Sequence, residues 1–210
     1  MMGRHAKESR DMRIAGYKTG LVLAALLSLA GCVSFGGDPP DRLISLTADE
    51  QEPVGATISG EVGQAIVVLD PEADRRLDVQ RVPVQVDPST IAYLKDAVWV
   101  ERPARQFRRL LAETIRARSN RLVVEGSDFE VTGRPIVAGR LTQMGYDAQS
   151  GAVVVSFDAQ ILQEGGIVRT RRFQSEIPGV KAEVAAVAPA LNRAANDVVK
   201  QVAEWLLTGQ

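Results

Sequence analysis

The sequence predicts an α+β domain, a mostly antiparallel or mixed sheet with two main helices packed on it. Short segments in which apolar and polar residues alternate predict the strands. Two longer segments, one after Pro103 and one at the end of the chain, repeat apolar residues at helical spacing and predict the helices. The 210 residues are 45% apolar and 24% charged, which is typical of a folded chain rather than a disordered one.

Short segments that are apolar, or that alternate apolar and polar residues, predict most of the strands, and these segments lie before the final helix. The segment 81–86 contains Pro83, which has no backbone N–H, so we predict an edge strand there. The apolar run 65–69 is typical of a buried strand. Residues 70–76 are predicted to form a charged loop, and the glycine-rich stretch 50–63 adds little core. The predicted strands are 42–47, 65–69, 81–86, 91–94, 121–124, 135–144 and 152–163.

A hairpin is predicted where the segment 152–163 is followed by Glu164-Gly165-Gly166. A three-residue hairpin loop needs a left-handed residue, and glycine supplies it. With a three-residue loop, an aromatic pair lies on one face of the sheet and an ion pair lies on the other face. We therefore predict this register rather than the register of a two-residue loop. It pairs Gln163 with Ile167, Phe157 with Phe173, and Asp158 with Arg172.

Two helices are predicted, each with one apolar stripe. The first begins at Pro103, since proline is favoured at the first helical position, and runs for about 15 residues. The second spans 182–207, and Pro189 predicts a kink or break near its start. Trp99 and Trp205 are expected in the core. The two stripes are Phe107, Leu110, Leu111, Thr114 and Ile115, and Val184, Val187, Leu191, Ala194, Val198, Val202 and Trp205.

Residues 1–31 have the features of a lipoprotein signal peptide. Basic residues precede the apolar run 21–30, which is too short to span a bilayer, and small residues end it. The sequence Leu29-Ala30-Gly31-Cys32 matches the lipobox of bacterial lipoproteins and predicts lipidation of Cys32. Residues 12–31 already form a complete leader, so Met12 is an alternative start to Met1.

Residues 32–41 are predicted to be a lipidated tether, and residues 42–210 a single domain. Glycine and proline interrupt regular structure in the tether. Nine flexible residues have a root-mean-square reach of about 15–18 Å, which keeps the domain close to its membrane. Residue 33 is valine rather than aspartate, and by analogy with lipoprotein sorting this favours the outer membrane, with the domain on its periplasmic face. Attachment through several acyl chains is expected to be stable.

The residue types that remain after processing exclude several function classes. Loss of residues 1–31 changes the net charge from −1 to −4, which argues against a general nucleic-acid binder. The single histidine, His5, leaves with the leader, and Cys32 is consumed by lipid. Catalysis by Ser-His-Asp or Cys-His groups, the usual zinc sites and disulfides are therefore excluded. No metal and no cofactor is expected besides the covalent lipid.

An enzymatic alternative rests on carboxylates alone. A glycosidase with a carboxylate pair needs no histidine, and Asp128 and Glu130 are close in sequence. A polar loop after Gly126 explains these two residues better, and no Gly-x-Ser-x-Gly motif occurs. No catalytic residue is therefore assigned, and a non-enzymatic protein is expected.

Arginines crowd the segment 102–121 of an otherwise acidic domain. Arg105, Arg108, Arg109 and Arg116 are the candidates for a patch that binds anionic lipid headgroups or an acidic partner, since arginine suits bidentate phosphate contacts. The alternative, which we favour, is a solvated helix face neutralised by carboxylates from elsewhere. Arg169 and Arg171 would share the sheet face of Phe157, where they either snorkel at the border of the core or line a groove.

The order of motifs resembles the family of ABC-type transport auxiliary lipoproteins. The resemblance covers most of the chain after the leader, and its best segment runs from Tyr93 to Pro103. It rests on the lipobox and tether, Leu43 to Leu46, the 65–69 strand, Arg76-Leu77-Asp78, the 81–86 strand, Tyr93-Leu94, Trp99-Val100-Glu101-Arg102-Pro103, Gly139-Arg140-Leu141 and the terminal helix ending near Trp205.

This resemblance implies a non-enzymatic periplasmic component of a lipid-transport system built on mammalian-cell-entry (MCE) domain proteins. The implied partners are an MCE-domain protein and an ABC permease complex, with phospholipid and a homo-oligomer as further implications. The implied fold is like that of the amino-terminal domain of the Tol translocation protein TolB. An adaptor or regulator of cell-wall synthesis or envelope assembly remains open, since it too needs only an anchor and a docking face.

Overall fold

The computed structural model describes residues 42–126 and 135–209, which fall in one compact unit. The predicted signal peptide, lipidated Cys32 and tether lie outside the described residues, as do Asp128 and Glu130. Among the described helices, none is both long enough and apolar enough to cross a membrane.

Within residues 42–126 and 135–209, eight strands form one mixed sheet, and two α-helices accompany it. The helices are α1, Pro103–Arg118, and α2, Val184–Thr208. The strands are β1 Ile66–Val68, β2 Glu72–Ala73, β3 Arg81–Gln85, β4 Ile91–Val98, β5 Val123–Glu125, β6 Ile136–Asp147, β7 Ala152–Leu162 and β8 Val168–Ile177. The predicted α+β class, with a mixed sheet and two main helices, is confirmed.

Strand β6 is the centre of the sheet because it pairs along both edges. One edge pairs with the whole of β7, which in turn pairs with β8, both antiparallel. The other edge is shared by β1, β2 and β3, each parallel to β6 over two residues. Beyond these, β5 extends β1 in parallel and β4 extends β3 antiparallel. The parallel pairings join segments that are distant in sequence.

The edge-strand prediction for 81–86 is wrong, since β3 lies between β4 and β6. The register between β3 and β4 shifts between Arg81 and Pro83, and Asp96 in β4 adopts a left-handed φ of 57°. An irregularity of this kind lets a proline without an N–H sit inside a sheet. On the β6 side, Gly145 allows the backbone of Pro83 to approach closely, because a Cβ there would lie 2.3 Å from the Pro83 carbonyl oxygen.

Both helices bury the faces that the sequence predicts. The five stripe residues of α1 are buried, and so are all those of α2 except Val184, which is half-buried. Helix α2 is continuous through Pro189, so the predicted break is absent. Proline removes only the hydrogen bond to the Ala185 carbonyl, and Ala185 is exposed to solvent.

The predicted hairpin register is confirmed. The Gln163 N–H donates to the Ile167 carbonyl over 2.9 Å, and Phe157 pairs with Phe173. The core lies between this sheet face and the helices, where the rings of Phe107 and Phe157 have centroids 4.9 Å apart. On the opposite face, Asp158 pairs with Arg172. Trp99 and Trp205 are buried, as predicted.

The predicted first strand, 42–47, is wrong. Within this segment only Ile44 makes a strand-like bridge, to Trp99. The segment that follows leaves the sheet and crosses the two helices, whose side chains take the place of a neighbouring strand. We call residues 44–52 the strap.

Candidate functional site

The strap connects the predicted tether to the domain, and side-chain amides of both helices hold it. Gln106 of α1 accepts the Leu46 N–H through Oε1 at 2.9 Å. On α2, Asn192 accepts the Thr47 N–H at 2.8 Å and Asn196 accepts the Asp49 N–H at 2.9 Å. Asn196 also donates through Nδ2 to the carbonyls of Thr47 and Asn192. These amides satisfy strap backbone groups that no neighbouring strand satisfies.

Ion pairs fasten the strap further along the same helices. Arg118 of α1 donates two hydrogen bonds to the Glu50 carboxylate, at 2.6 and 2.8 Å. Lys200 of α2 donates to Asp49 at 2.8 Å. From Leu46 to Glu50 the strap contacts progress along both helices in chain order, so α1 and α2 run in the same direction as this part of the strap. Both helices therefore begin at the end of the domain where the tether enters. After Glu50 the strap turns back along α1, because the Glu52 N–H donates to Oε1 of Glu113 at 2.9 Å.

These ion pairs give the strap a small, predictable pH dependence. The hydrogen bond from Arg118 lowers the pKa of Glu50 below its ordinary value of 4.5, so this contribution is complete above that value and is lost as pH falls through the lowered pKa. The hydrogen bond to Asp49 raises the pKa of Lys200 above 10.5, so that contribution is lost as pH rises through the raised pKa. Exposed pairs of this kind contribute at most about 1 kcal/mol each.

Thermal unfolding of the Glu50→Gln and Lys200→Met variants measures this dependence. We expect the stability difference between the wild type and Glu50→Gln to be constant at neutral pH and to shrink in acid below about pH 4.5. The difference for Lys200→Met should shrink only in strong base. A difference that is the same at every pH would contradict the two ion pairs.

The amides that hold the strap were missed by sequence reasoning. Gln106, Asn192 and Asn196 adjoin the apolar stripes, and Gln106 and Asn196 are only 3% and 1% exposed. Their signal in the sequence was a polar amide on the buried side of a helix, with Asn192 and Asn196 one turn apart. A buried amide needs hydrogen-bond partners, and here an extended segment of the same chain provides them.

The four candidate arginines all have carboxylate partners. Arg105 and Arg109 share Glu101 and remain 62% and 55% exposed. Arg108 is 19% exposed and lies between Asp70 and Glu125, whereas Arg116 is 24% exposed and pairs with Glu113 and Glu125. The neutralising carboxylates expected from elsewhere in the chain are therefore present, and Arg105 and Arg109 are the members that still face solvent.

The exposed pair lies near the strap's origin. The Ile44 N–H donates to the Val98 carbonyl at 2.8 Å, and the Val100 N–H donates to the Ile44 carbonyl at 2.9 Å. Glu101, which holds Arg105 and Arg109, follows directly in the chain. The first residues of the strap and the start of α1 thus adjoin one another. A docking role for the four arginines stays a prediction.

The opposite end of the domain carries the tip of the β7–β8 hairpin. The Arg169 guanidinium lies 4.7 Å from the ring centroid of Trp205, and the Arg171 guanidinium lies 5.1 Å from that of Phe173. The two arginines therefore cover aromatic rings at the border of the core, as expected of snorkelling side chains. Trp205 lies near the carboxyl end of α2, so α2, about 37 Å long from its 25 residues, separates this border from the residues that begin the strap.

The described residues contain no group of three or more side chains of the metal-ligating types His, Cys, Asp and Glu placed to hold an ion. The carboxylate pair weighed for a glycosidase lies outside those residues. In residues 42–126 and 135–209, the candidate site consists of a strap held across two helices and of exposed arginines near the start of that strap. These features suit binding to a partner surface.

The family model for the ABC-type transport auxiliary lipoprotein component matches residues 45–203. This range includes the strap from Ser45 onward, the whole sheet, α1, and α2 as far as Ala203. None of the curated proteins matches the chain.

Solved structures share this fold at low sequence identity. A crystal structure of a Xanthomonas campestris protein is 20% identical with a TM-score of 0.67, and the match covers 80% of this chain and 97% of that one. A second crystal structure is 14% identical with a TM-score of 0.60, covering 78% and 98%. A PelC dodecamer from Paraburkholderia phytofirmans is 11% identical with a TM-score of 0.39, covering 70% and 92%.

These structural matches concern the fold alone. They correct the implied likeness to the amino-terminal domain of TolB, because the structures that this fold resembles are of other proteins. The PelC similarity is too distant to carry an argument on assembly.

Proposed function

Since this chain belongs to the family of ABC-type transport auxiliary lipoprotein components, we propose that it is the non-enzymatic lipoprotein of an ABC transport system that moves lipid between membranes. Its partners in this proposal are an MCE-domain protein and the ABC permease complex. The family match over residues 45–203 carries the proposal, because it spans the domain whose surfaces would make those contacts.

Membrane attachment follows from the lipoprotein family and from the sequence of the leader. The lipid is placed on Cys32 by the lipobox, and the outer membrane is proposed from Val33 at the sorting position. A flexible tether of nine residues would hold the domain at a root-mean-square distance of about 15–18 Å from the bilayer surface. The strap then makes the connection firm, because the chain that leaves the tether is bonded to both helices within a few residues.

The role of the domain in this proposal is to hold partners at the membrane. A homo-oligomer, implied by the family resemblance, stays a prediction that the mass of the purified lipoprotein would test. Crosslinking of the tagged, lipidated protein in intact cells, followed by mass spectrometry, tests the partners. Recovery of an MCE-domain protein supports the transport function, whereas recovery of cell-wall synthases alone would replace it with a regulatory one.

The exposed arginine pair gives a specific prediction for this docking. The Arg105→Gln, Arg109→Gln double variant should lower recovery of the crosslinked partner several-fold and make the remaining association less sensitive to salt, because it removes exposed cations that share one carboxylate. Arg108 and Arg116 are left intact, since each lies between carboxylates that would lose their counter-charge.

The matched control is Arg193→Gln, which removes an exposed cation from α2. We expect it to recover the partner as the wild type does. Equal recovery and equal salt dependence for the double variant would show that the pair does not dock the partner, and the arginines of α1 would then act only within the domain.

A further inference from the structure

An apolar groove opens beside the point where the tether enters the domain. It lies between the residues that begin the strap and the first turns of α2, and it has a volume of about 450 Å³. Its apolar lining is Leu43, Ile44, Val184, Ala185, Ala188 and Pro189. The lining includes one charged side chain, Arg42.

Backbone hydrogen bonds hold one wall of this groove in place, although the groove is open to solvent. Ile44 is 5% exposed, and its backbone hydrogen-bonds to Val98 at the end of β4 and to Val100, two residues further along the chain. Leu43, one residue earlier, is 52% exposed. Leu43 adjoins the other apolar residues of the lining, so the apolar surface here is contiguous, and a contiguous apolar patch open to solvent marks an interaction site. The other wall is a helix, so neither side needs to rearrange to receive an occupant.

The position of the groove limits what can occupy it. Arg42 is ten residues after Cys32, and the tether predicted between them would have a root-mean-square reach of about 15–18 Å. The groove is therefore at the end of the domain that the anchor holds near the bilayer. An occupant drawn from that bilayer would have aliphatic chains for the lining and a phosphate for the guanidinium of Arg42.

We propose that this groove holds an acyl chain of a phospholipid from the membrane in which the protein is anchored, with Arg42 beside the phosphate. The proposal rests on the lipid-transport function and gives it a place on this chain. The auxiliary lipoprotein then contacts lipid itself at the membrane, in addition to holding its partners.

A photolabelling experiment tests this assignment. The full-length, lipidated protein is reconstituted in vesicles of phosphatidylethanolamine and phosphatidylglycerol that contain a trace of phosphatidylglycerol with a diazirine on its acyl chain. After irradiation, labelled peptides are located by mass spectrometry. We expect label on the peptides that contain Leu43 and Val184. Label spread evenly over the exposed surface would overturn the proposal.

The Ala185→Asp variant places a charge in the groove without threatening the fold. Ala185 is exposed and is the second residue of α2, where a carboxylate is stabilised by the helix dipole. Labelling of the groove should fall at least fivefold. Ala182→Asp is the matched control, because Ala182 is exposed, lies just before the helix and is outside the lining. Equal labelling in the two variants would overturn the proposal.

Two further variants separate the occupants. A Cys32→Ser protein carries no lipid of its own, and Phe35→Asp removes the aromatic side chain of the tether. If the wild type is unlabelled and Cys32→Ser is labelled, the protein's own acyl chain occupies the groove. If the wild type is unlabelled and Phe35→Asp, which keeps the anchor, is labelled, the tether occupies it. Either result overturns the assignment to a membrane phospholipid. The experiment contains no transporter, so its outcome is independent of whether an MCE-domain protein is recovered from cells.

Discussion

Gly139→Ala is expected to destabilise the domain by about 3–5 kcal/mol, the largest effect of any single change proposed for the described residues. Gly139 lies in β6 with φ +155°, where side chains are strained. A Cβ there would lie 2.3 Å from the Asp158 carbonyl oxygen and 2.6 Å from Cζ of Phe157. Neither neighbour can move easily, since β6 and β7 are paired along their length and the Phe157 ring packs on Phe107.

Thermal unfolding measures this effect, with a melting temperature lower by about 10 °C as the expected result. Gly63→Ala is the matched control, because a Cβ at Gly63 meets nothing within 4 Å and its backbone is not left-handed. That variant should unfold within about 0.5 kcal/mol of the wild type. If Gly139→Ala were equally neutral, the close approach of β7 to this glycine would be wrong.

The elements predicted correctly from the sequence are those whose structure is decided by residues close together in the chain. The β7–β8 register followed from a three-residue loop and from two cross-strand pairs within twenty residues of each other. The stripes of α1 and α2 followed from helical spacing alone. In each case, the residues that decide the structure are neighbours in the chain, so no knowledge of the tertiary fold was needed.

The misjudged elements depend on partners distant in sequence. Pro83 is compatible with an inner strand only because the register shifts in β4 and Gly145 lies opposite in β6. The neutralisation of the α1 arginines was predicted, but the carboxylates that provide it could not be named, because they come from separate segments: Asp70 and Asp78 precede the helix and Glu125 follows it.

The segment 42–47 was misjudged for a different reason. An extended chain with alternating residues satisfies its backbone equally well through a neighbouring strand or through side-chain amides. The deciding residues are Gln106, Asn192 and Asn196, and their helical positions gave no indication that an extended segment would lie over them. The strap is therefore more sensitive to substitution than a strand, because each of its hydrogen bonds depends on one side chain that a single substitution removes.

Asn196→Leu should therefore release the strap while leaving the sheet intact. Leucine fills a site that is 1% exposed in the wild type, but it neither accepts the Asp49 N–H nor donates to the Thr47 carbonyl. Leaving a buried polar group without its partner costs about 1–3 kcal/mol, so amide hydrogen exchange at Asp49 should accelerate about 10- to 100-fold, whereas exchange in β7 should change little.

The residue-by-residue pattern of exchange distinguishes release of the strap from general loosening. Asn192→Ala should accelerate the Thr47 amide most, because Asn192 accepts only that strap N–H. Gln201→Leu is the matched control: it removes an amide from the same helix whose hydrogen bond is to Asp197 within α2. Uniform acceleration in all three variants would contradict the side-chain fastening. Acceleration confined to the strap would mean that single side-chain amides of α2 hold this end of the chain to the domain.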